Sequence, residues 1–487
     1  MSDYVIETAK GKWEIVCGLE IHCQIISKSK IFSGASTKFG DDANKNVSFI
    51  DLGMPGMLPV LNQECVHQAV KTGLGLNAAI NKYSVFSRKN YFYADQPNGY
   101  QITQYEYPIV GKGSIIIDLP DGSSKEIGIT RIHIEQDAAK SIHDLNPQKS
   151  YIDFNRSGVG LMEIVTDPDF KSPEEAGAFL KKLRSIVRYL GTCDGNMDEG
   201  SMRCDASVSV KPLGEAGMRE RAEIKNVNSV KFAMQAIEHE AKRQVEIYEH
   251  GGIIEQQTRQ FNQSTGQTKF LRLKEYADDY RYFPEPDLPP LLLTDEYIDS
   301  ICHEMPELPD AKKQRFIETM GLTPYDAMII CENKETAEFF EQASQGHDSK
   351  KVANWMMGDF FAMLNKKHLD ISQSPISPKS LGDLVELITK DVISGRIAKD
   401  VFEIMSETGE NPQKIVEEKG LKQVTDTTEI EKIINEIIQS NPENVQAYKN
   451  GKTNLSGWFV GQSLKKSQGK ANPSIVNKMV KEKLDRL

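Results

Sequence analysis

A chain of 487 residues is longer than one hydrophobic core usually serves, so two to four domains are expected. Its 39% hydrophobic and 26% charged residues match an ordinary soluble globular protein, and no apolar run approaches the roughly 18–20 residues needed to span a bilayer, which argues against membrane insertion. A net charge of -11 argues against a protein that coats nucleic acid non-specifically, because Lys and Arg dominate that affinity, but it leaves room for a local basic patch. The 7 cysteines are odd in number and none forms a CxxC pair, so reduced cytosolic thiols are expected. Residues 1–12 carry Asp3 and Glu7 and lack an apolar or Arg-rich stretch, so neither a signal nor a transit peptide is expected.

From Trp13 to about Asp287 the chain is rich in short β-type runs, among them Ile15-Val16, Ser114–Leu119 and Glu126–Ile134, punctuated by Gly, Asn, Asp and Pro. Helical patterns at Pro173–Tyr189 and Val230–His250 interrupt it, which predicts a large mixed α/β domain. The run Pro284–Pro290 is a stiff break, since each proline fixes φ and removes a donor, and sets a boundary near residue 295. Beyond it, apolar spacing of three and four at Ala353–Leu364 and Leu381–Ile393, with a helix start at Ser377-Pro378, predicts an all-α domain over 296–410. A further helical segment fills 411–487, and its end is locally basic through Lys465, Lys466, Lys470 and neighbours. The fold class is therefore α+β and multidomain.

Several segments carry side chains fit for chemistry. In Gly18-Leu19-Glu20-Ile21-His22, a strand aims Glu20 and His22 to one face, as two metal ligands or as solvated polar residues at a strand end. In Arg131–Asp137, His133, Glu135 and Asp137 alternate onto one face and Gln136 takes the other. Glu163 lies between apolar neighbours, so its carboxylate needs a cation, donors or a proton, in a metal site or in a structural salt bridge. Cations, amides and aromatics interleave in Arg88–Tyr93, Asp198–Asp205, Glu223–Asn226 and Asp278–Phe283, which suits phosphate and nucleotide contacts or a solvated surface. Neither a GxxxxGK[ST] loop nor a GxGxxG fingerprint occurs, so an ATP site here is neither a P-loop nor a Rossmann crevice.

Taken in order, Gly18–His22, Asp51–Asn62 with Leu52-Gly53-Met54-Pro55-Gly56, Arg88–Gln104, His133–Lys140, Asp198–Asp205, Asp279–Asp287 and Gly457–Asn477 resemble the B subunits of the GatCAB tRNA-dependent amidotransferases. The resemblance implies a cradle-shaped α/β domain over 1–295 with the transamidase site, the helical domain, and a YqeY-like tRNA-binding tail over 411–487. It implies a cytoplasmic enzyme that uses ATP and Mg²⁺ to phosphorylate the side chain of Glu-tRNA(Gln) or Asp-tRNA(Asn). Ammonia would come from an A-subunit glutaminase, with a small C subunit as a further partner. By motif matching, Glu20, His22, Glu135, Gln136 and Glu163 are expected near the metal. Gln136 stands where an acidic residue is common, which makes its direct ligation doubtful and gives Glu135 more weight. Glu20, His22, Glu163 and Lys89 are the expected catalytic residues; Arg88, Tyr91, Asp205 and Lys225 the expected substrate or ATP contacts; and Lys465, Lys466 and Lys470, about the Gly469 turn, the expected tRNA contacts. Where some relatives carry two cysteine pairs for a structural Zn²⁺, this chain has Ser33, Ala35, Ser48 and Asp51, so that loop is expected to pack without zinc. The uninterrupted passage from helical domain to tail argues against the related archaeal-type E subunit, which carries an insertion there.

Overall fold

The structure, a computed structural model, describes residues 4–143, 145–273, 277–423, 427–467 and 470–487. They fall into two compact units, Met1–Pro309 and Asp310–Leu487.

The first unit is organised by a nine-stranded sheet. Its strands are β1 (Ile6–Glu7) and β2 (Lys12–Gln24), then, after the hairpin β3 (Phe86–Asn90) and β4 (Tyr100–Gln104) of a separate small sheet, β5 (Gly113–Asp118), β6 (Ser124–Gln136), β7 (Gly160–Thr166), β8 (Met202–Pro212), β9 (Ala222–Val227), β10 (Gln257–Asn262) and β11 (Gln267–Leu273). The order across the sheet is β11-β10-β9-β8-β2-β7-β6-β5, with β1 paired to β2. All pairings are antiparallel except β9 with β10. In β2 the alternation is strict: Trp13, Ile15, Cys17, Leu19, Ile21 and Cys23 are buried in the core, and Glu20, His22 and Gln24 take the opposite face.

Helices α1 (Gln63–Gly75), α2 (Pro173–Leu190) and α3 (Val230–Glu249) pack on the apolar face. The predicted helices at 173–189 and 230–250 thus occur within one residue of their expected ends. In α2 the boundaries follow from local chemistry. The Ser172 side chain accepts from the Glu175 N–H, Pro173 occupies the first turn, and Gly191 ends the helix with φ 72°. Its fully buried Phe179, Leu180, Leu183 and Val187 each contribute about 1.5–3 kcal/mol by leaving water. Gly160 lets α1 come close to the sheet, because a Cβ there would lie 2.8 Å from Cys65 Sγ. Beyond the expected boundary at 295, the helix Asp295–His303 still buries Ile301 in this core, which carries the first unit on to Pro309.

The loop after β2 is held by a buried ion pair. Lys30, fully inaccessible, donates to Asp51 Oδ2 at 3.1 Å and to the Phe154 carbonyl at 3.3 Å. Ser33 Oγ donates to Asp51 Oδ1 at 3.0 Å, and the Ser48 N–H to Oδ2 at 2.9 Å. The Ala35 N–H reaches Ser33 Oγ at 3.3 Å, so Ser33, Ala35, Ser48 and Asp51 are linked in one hydrogen-bonded cluster.

The second unit is helical. Its helices include α4 (Lys334–Ala343), α5 (Pro378–Thr389), α6 (Thr427–Ser440), α7 (Leu455–Lys466) and α8 (Pro473–Arg486). Ser377 caps α5 as its sequence predicts. The helix stops at Thr389 rather than at 393, and Asp391 in the turn beyond takes φ 54°. The run predicted at 353–364 is divided into Ser349–Trp355, a π-helical turn Met356–Phe360, and Phe361–Lys367. At the C-terminal end, Ile430, Ile434 and Ile437 pack with Phe459, Val476, Val480 and Leu484 in a core of their own. Among the described residues no helix is long and apolar enough to cross a membrane.

Candidate active site

The polar face of the central sheet gathers side chains that are far apart in sequence. Antiparallel register sets His22 opposite Glu163, and Glu163 opposite His133 on its other side. On the far side of β2, His22 is opposite Arg203 and Glu20 opposite Asp205. A row of ionisable groups therefore runs across β6, β7, β2 and β8, each at a cross-strand position where side chains touch.

Glu163 Oε2 is the hub of this row. It lies 3.3 Å from His22 Nε2 and 3.3 Å from His133 Nε2, and His133 Nε2 is 3.6 Å from Glu135 Oε2. Thr103 Oγ1 on β4 donates to Glu135 Oε2 at 2.9 Å, which fixes that carboxylate from the hairpin side. Burial opposes the charged carboxylate of Glu163, but the two imidazoles hold its pKa well below the ordinary value. Burial likewise opposes protonation of His133, and Glu163 and Glu135 outweigh it, raising the imidazole to about 9.

Lys89, on β3, faces the same cluster. Its Nζ sits 4.9 Å above the Tyr280 ring, and although burial opposes its charge, Tyr282, Glu135 and Glu163 raise its pKa above the ordinary lysine value. Tyr91 packs edge-on against Tyr93 and Tyr280, and Tyr105 stacks on Tyr282 with 4.2 Å between centroids, which makes an aromatic wall. On the other flank, Lys225 Nζ contacts Asp205 Oδ2 at 2.7 Å and Glu223 Oε1 at 3.2 Å.

The structure thus brings together His22, Glu135, Glu163 and Lys89 of the predicted residues, with Tyr91 beside them. Glu20 is one step along β2, in the row of Asp205 and Lys225. Gln136 is not in the cluster, because strand alternation turns it to the opposite side from Glu135. Arg88 is engaged elsewhere. Its guanidinium binds the buried Glu285 in a two-pronged pair at 2.7 and 2.7 Å and lies 4.2 Å over the Tyr100 ring, joining the hairpin to the segment Phe283–Pro284. In the tail, Lys465 and Lys466 are exposed at the end of α7, Lys466 pairs with Glu436, and Lys470 is half-buried. Gly469 lies outside the described residues.

Two groups that alternation places beside Glu135 have no role assigned to them from the sequence. His133 shares a face with Glu135, a signal that alternation already carries, yet only the cross-strand register makes it a partner of Glu163. Buried Asp137 receives Arg203 Nη2 at 2.8 Å and Gln24 Nε2 at 3.0 Å, which braces β6 against β2 and β8 below the cluster.

One ligand atom each from His22, Glu135 and Glu163 lies within 4.8 Å of the others. Two carboxylates and an imidazole converging on one point fit a divalent cation completed by water or phosphate oxygens.

Comparison with known proteins agrees with this assignment of the chemistry to the first unit. Residues 15–299 match the GatB/GatE catalytic domain, and residues 338–484 match the GatB domain. The chain is 58% identical over 481 residues to the aspartyl/glutamyl-tRNA(Asn/Gln) amidotransferase B subunit of Paramagnetospirillum magneticum, covering 99% of each chain. The proteins of the same name from Acidiphilium cryptum and Brucella suis are 58% and 56% identical, over 99% and 98% of this chain and 99% and 96% of theirs.

Proposed function

Because the chain belongs to the family of aspartyl/glutamyl-tRNA(Asn/Gln) amidotransferase B subunits, we propose that its sheet face activates the side-chain carboxylate of Glu-tRNA(Gln) or Asp-tRNA(Asn) with ATP and presents it to ammonia. A carboxylate oxygen attacks the γ-phosphorus and ADP leaves. Ammonia then adds to the acyl carbon, loses a proton and expels phosphate, leaving the amide. The single observation that carries this reading is the meeting of His22, Glu135, Glu163 and Lys89 on one face of the matched catalytic domain.

His22, Glu135 and Glu163 would hold Mg²⁺, with Glu20 beside them. When bound, that ion neutralises phosphate charge. His133 and Thr103 keep the two carboxylates oriented. Lys89 stays protonated and offsets the charge that develops on the transferring phosphoryl group, while Lys225 does the same from the far flank. The tyrosines about Lys89 offer flat faces to a nucleobase and exclude water from the acyl phosphate. This activity belongs in the cytosol, with an A subunit and a C subunit as partners. The direct test is reconstitution with those partners and each mischarged tRNA in turn. ATP consumption is expected only when Mg²⁺ and mischarged tRNA are both present, and ATP hydrolysis indifferent to either would overturn the reading.

The chain is not expected to release ammonia itself. Among the described residues all cysteines but Cys302 are buried; burial pushes the thiols of Cys17, Cys65 and Cys204 upward, and a hydrogen bond with Cys193 together with burial does the same for Cys23, away from nucleophilic thiolates. The purified chain should therefore leave glutamine intact, and glutamate appearing above blank in a coupled assay would refute this division of labour.

We further assign tRNA binding to the segment from about 411, as distinct from a helical domain over 296–410. Its separate core and basic end support this. Exchanging Lys465, Lys466 and Lys470 for Glu is expected to weaken tRNA binding by about tenfold or more and to flatten its salt dependence, since fewer counterions are released. Filter binding at several salt concentrations measures both. An unchanged affinity and slope would assign the charge another purpose.

A further inference from the structure

The second unit holds another convergence of ligand-type side chains that the amidation chemistry does not use. We infer that His347, Asp383 and Glu386 form a second divalent-cation site, suited to Zn²⁺ or a similar borderline ion such as Co²⁺. One ligand atom from each lies within 4.8 Å of the others. His347 Nε2 is 3.9 Å from Asp383 Oδ1, and His347 Nδ1 is 3.9 Å from Glu386 Oε2. His347 sits in the turn after α4, where only 13% of its side chain is exposed, and the two carboxylates are three residues apart on α5, so they share one face.

Three features distinguish this cluster from acids scattered on a surface. First, His347 Nδ1 is buried and makes no hydrogen bond among the described residues, an expensive state for an imidazole nitrogen with no ligand to satisfy. Second, the ring has a seat shaped for it: a Cβ on Gly382 would stand 2.4 Å from His347 Cδ2, so only glycine there lets the imidazole lie against α5. Third, Asp383 is held from behind, since Asn411 Nδ2 donates to Oδ2 at 3.0 Å and leaves Oδ1, the oxygen nearer the ring, for an ion.

One imidazole and two carboxylates are donors that a borderline ion accepts, with water completing the shell. Bonds of about 2.0–2.2 Å set tetrahedral ligands roughly 3.3–3.5 Å apart, and through one ring nitrogen the three ligand atoms span as much as 4.8 Å, so the widest pair needs to close by up to roughly 1.3–1.5 Å. Glu386 is able to make that movement, because its side chain is 39% exposed. In doing so it leaves Lys390 Nζ, now 2.6 Å away, which makes the lysine a competitor of the ion. Bound there, the ion ties α5 to the end of α4, a structural role separate from amidation.

The test is titration of the full chain with Co²⁺, followed by its visible d–d absorption, and with Zn²⁺ by calorimetry. Both are run on a His22→Ala, Cys302→Ser background, which removes the competing sheet site and the exposed thiol. His347→Ala is expected to weaken one equivalent of Co²⁺ by at least 100-fold and to abolish its absorption. Glu386→Gln, at an exposed position where folding is not at stake, is expected to weaken it at least tenfold, and Lys390→Ala to tighten it. Identical isotherms in the parent, His347→Ala and Glu386→Gln chains would overturn the site.

Discussion

Replacing Glu163 by Gln is expected to slow aminoacyl activation by about 10²–10³-fold while changing tRNA affinity by less than about threefold, the loss typical when one charged or hydrogen-bonding group acting on the transition state is removed. The reason lies in its position as hub. A single oxygen of Glu163 meets both His22 and His133 at 3.3 Å, so the amide removes the charge that both imidazoles share and one of the anionic ligands of the proposed ion. Gln keeps the volume and the strand, and Met162 and Ile164, fully buried on the other face, continue to anchor β7. Single-turnover formation of amidated tRNA, with binding measured separately, reads the two effects. Equal loss of both would indicate a folding defect, and an unchanged turnover would remove Glu163 from the chemistry.

Lys30→Met is expected to destabilise the first unit by about 3–5 kcal/mol, the range for leaving one partner of a buried ion pair uncompensated. Lys30 and Asp51 are both buried, and burial alone pulls the Lys30 ammonium below its ordinary pKa, with Asp51 and Asp153 opposing that pull. Removing the ammonium leaves the Asp51 carboxylate, among the described residues, with Ser33 and the Ser48 N–H as donors. The companion Lys30→Met, Asp51→Leu should recover much of the loss, because the unpaired charge is then gone. Urea unfolding of the first unit's transition measures both variants. A change under about 1 kcal/mol in the single variant would show that water or a neighbouring group takes over the charge.

What the sequence discloses, and what it withholds, divides along the range of the interactions. The β-type residues Ile15-Val16 and Gly18–His22, the helical pattern from Pro173 and the helix start at Ser377-Pro378 are local signals, and β2, α2 and α5 hold those residues as expected. Pairing of Glu20 and His22 on one face follows from period two alone. The neighbour relations between strands do not, because register links β7 to β6 across about thirty positions and to β2 across about 140, and it is fixed by packing on the far face. For that reason nothing local in the sequence sets His133 beside Glu163. Arg88, which stands out for its cluster of cations and aromatics, has its partner Glu285 nearly two hundred residues away, a distance over which composition carries no information. The π-helical turn at Met356–Phe360 is equally hidden, since one extra residue in a helix leaves the apolar spacing nearly intact.

The position of β2 in the middle of the sheet also sets when the site comes into being. Its neighbours are β7 and β8, so the strand carrying Glu20 and His22 leaves the ribosome long before either partner exists, and β8 is complete only at Pro212. At the usual pace of about 5–20 residues per second, on the order of 7–28 s pass before β7 is complete at Thr166, and in that time a thirteen-residue strand, apolar on one face, has only the two-residue β1 to pair with. Such a strand is a target for chaperones and for wrong pairing with other nascent chains. Its Glu14 and Glu20 then act before catalysis begins, as charges on an unpaired strand that disfavour its addition to a neighbour like itself.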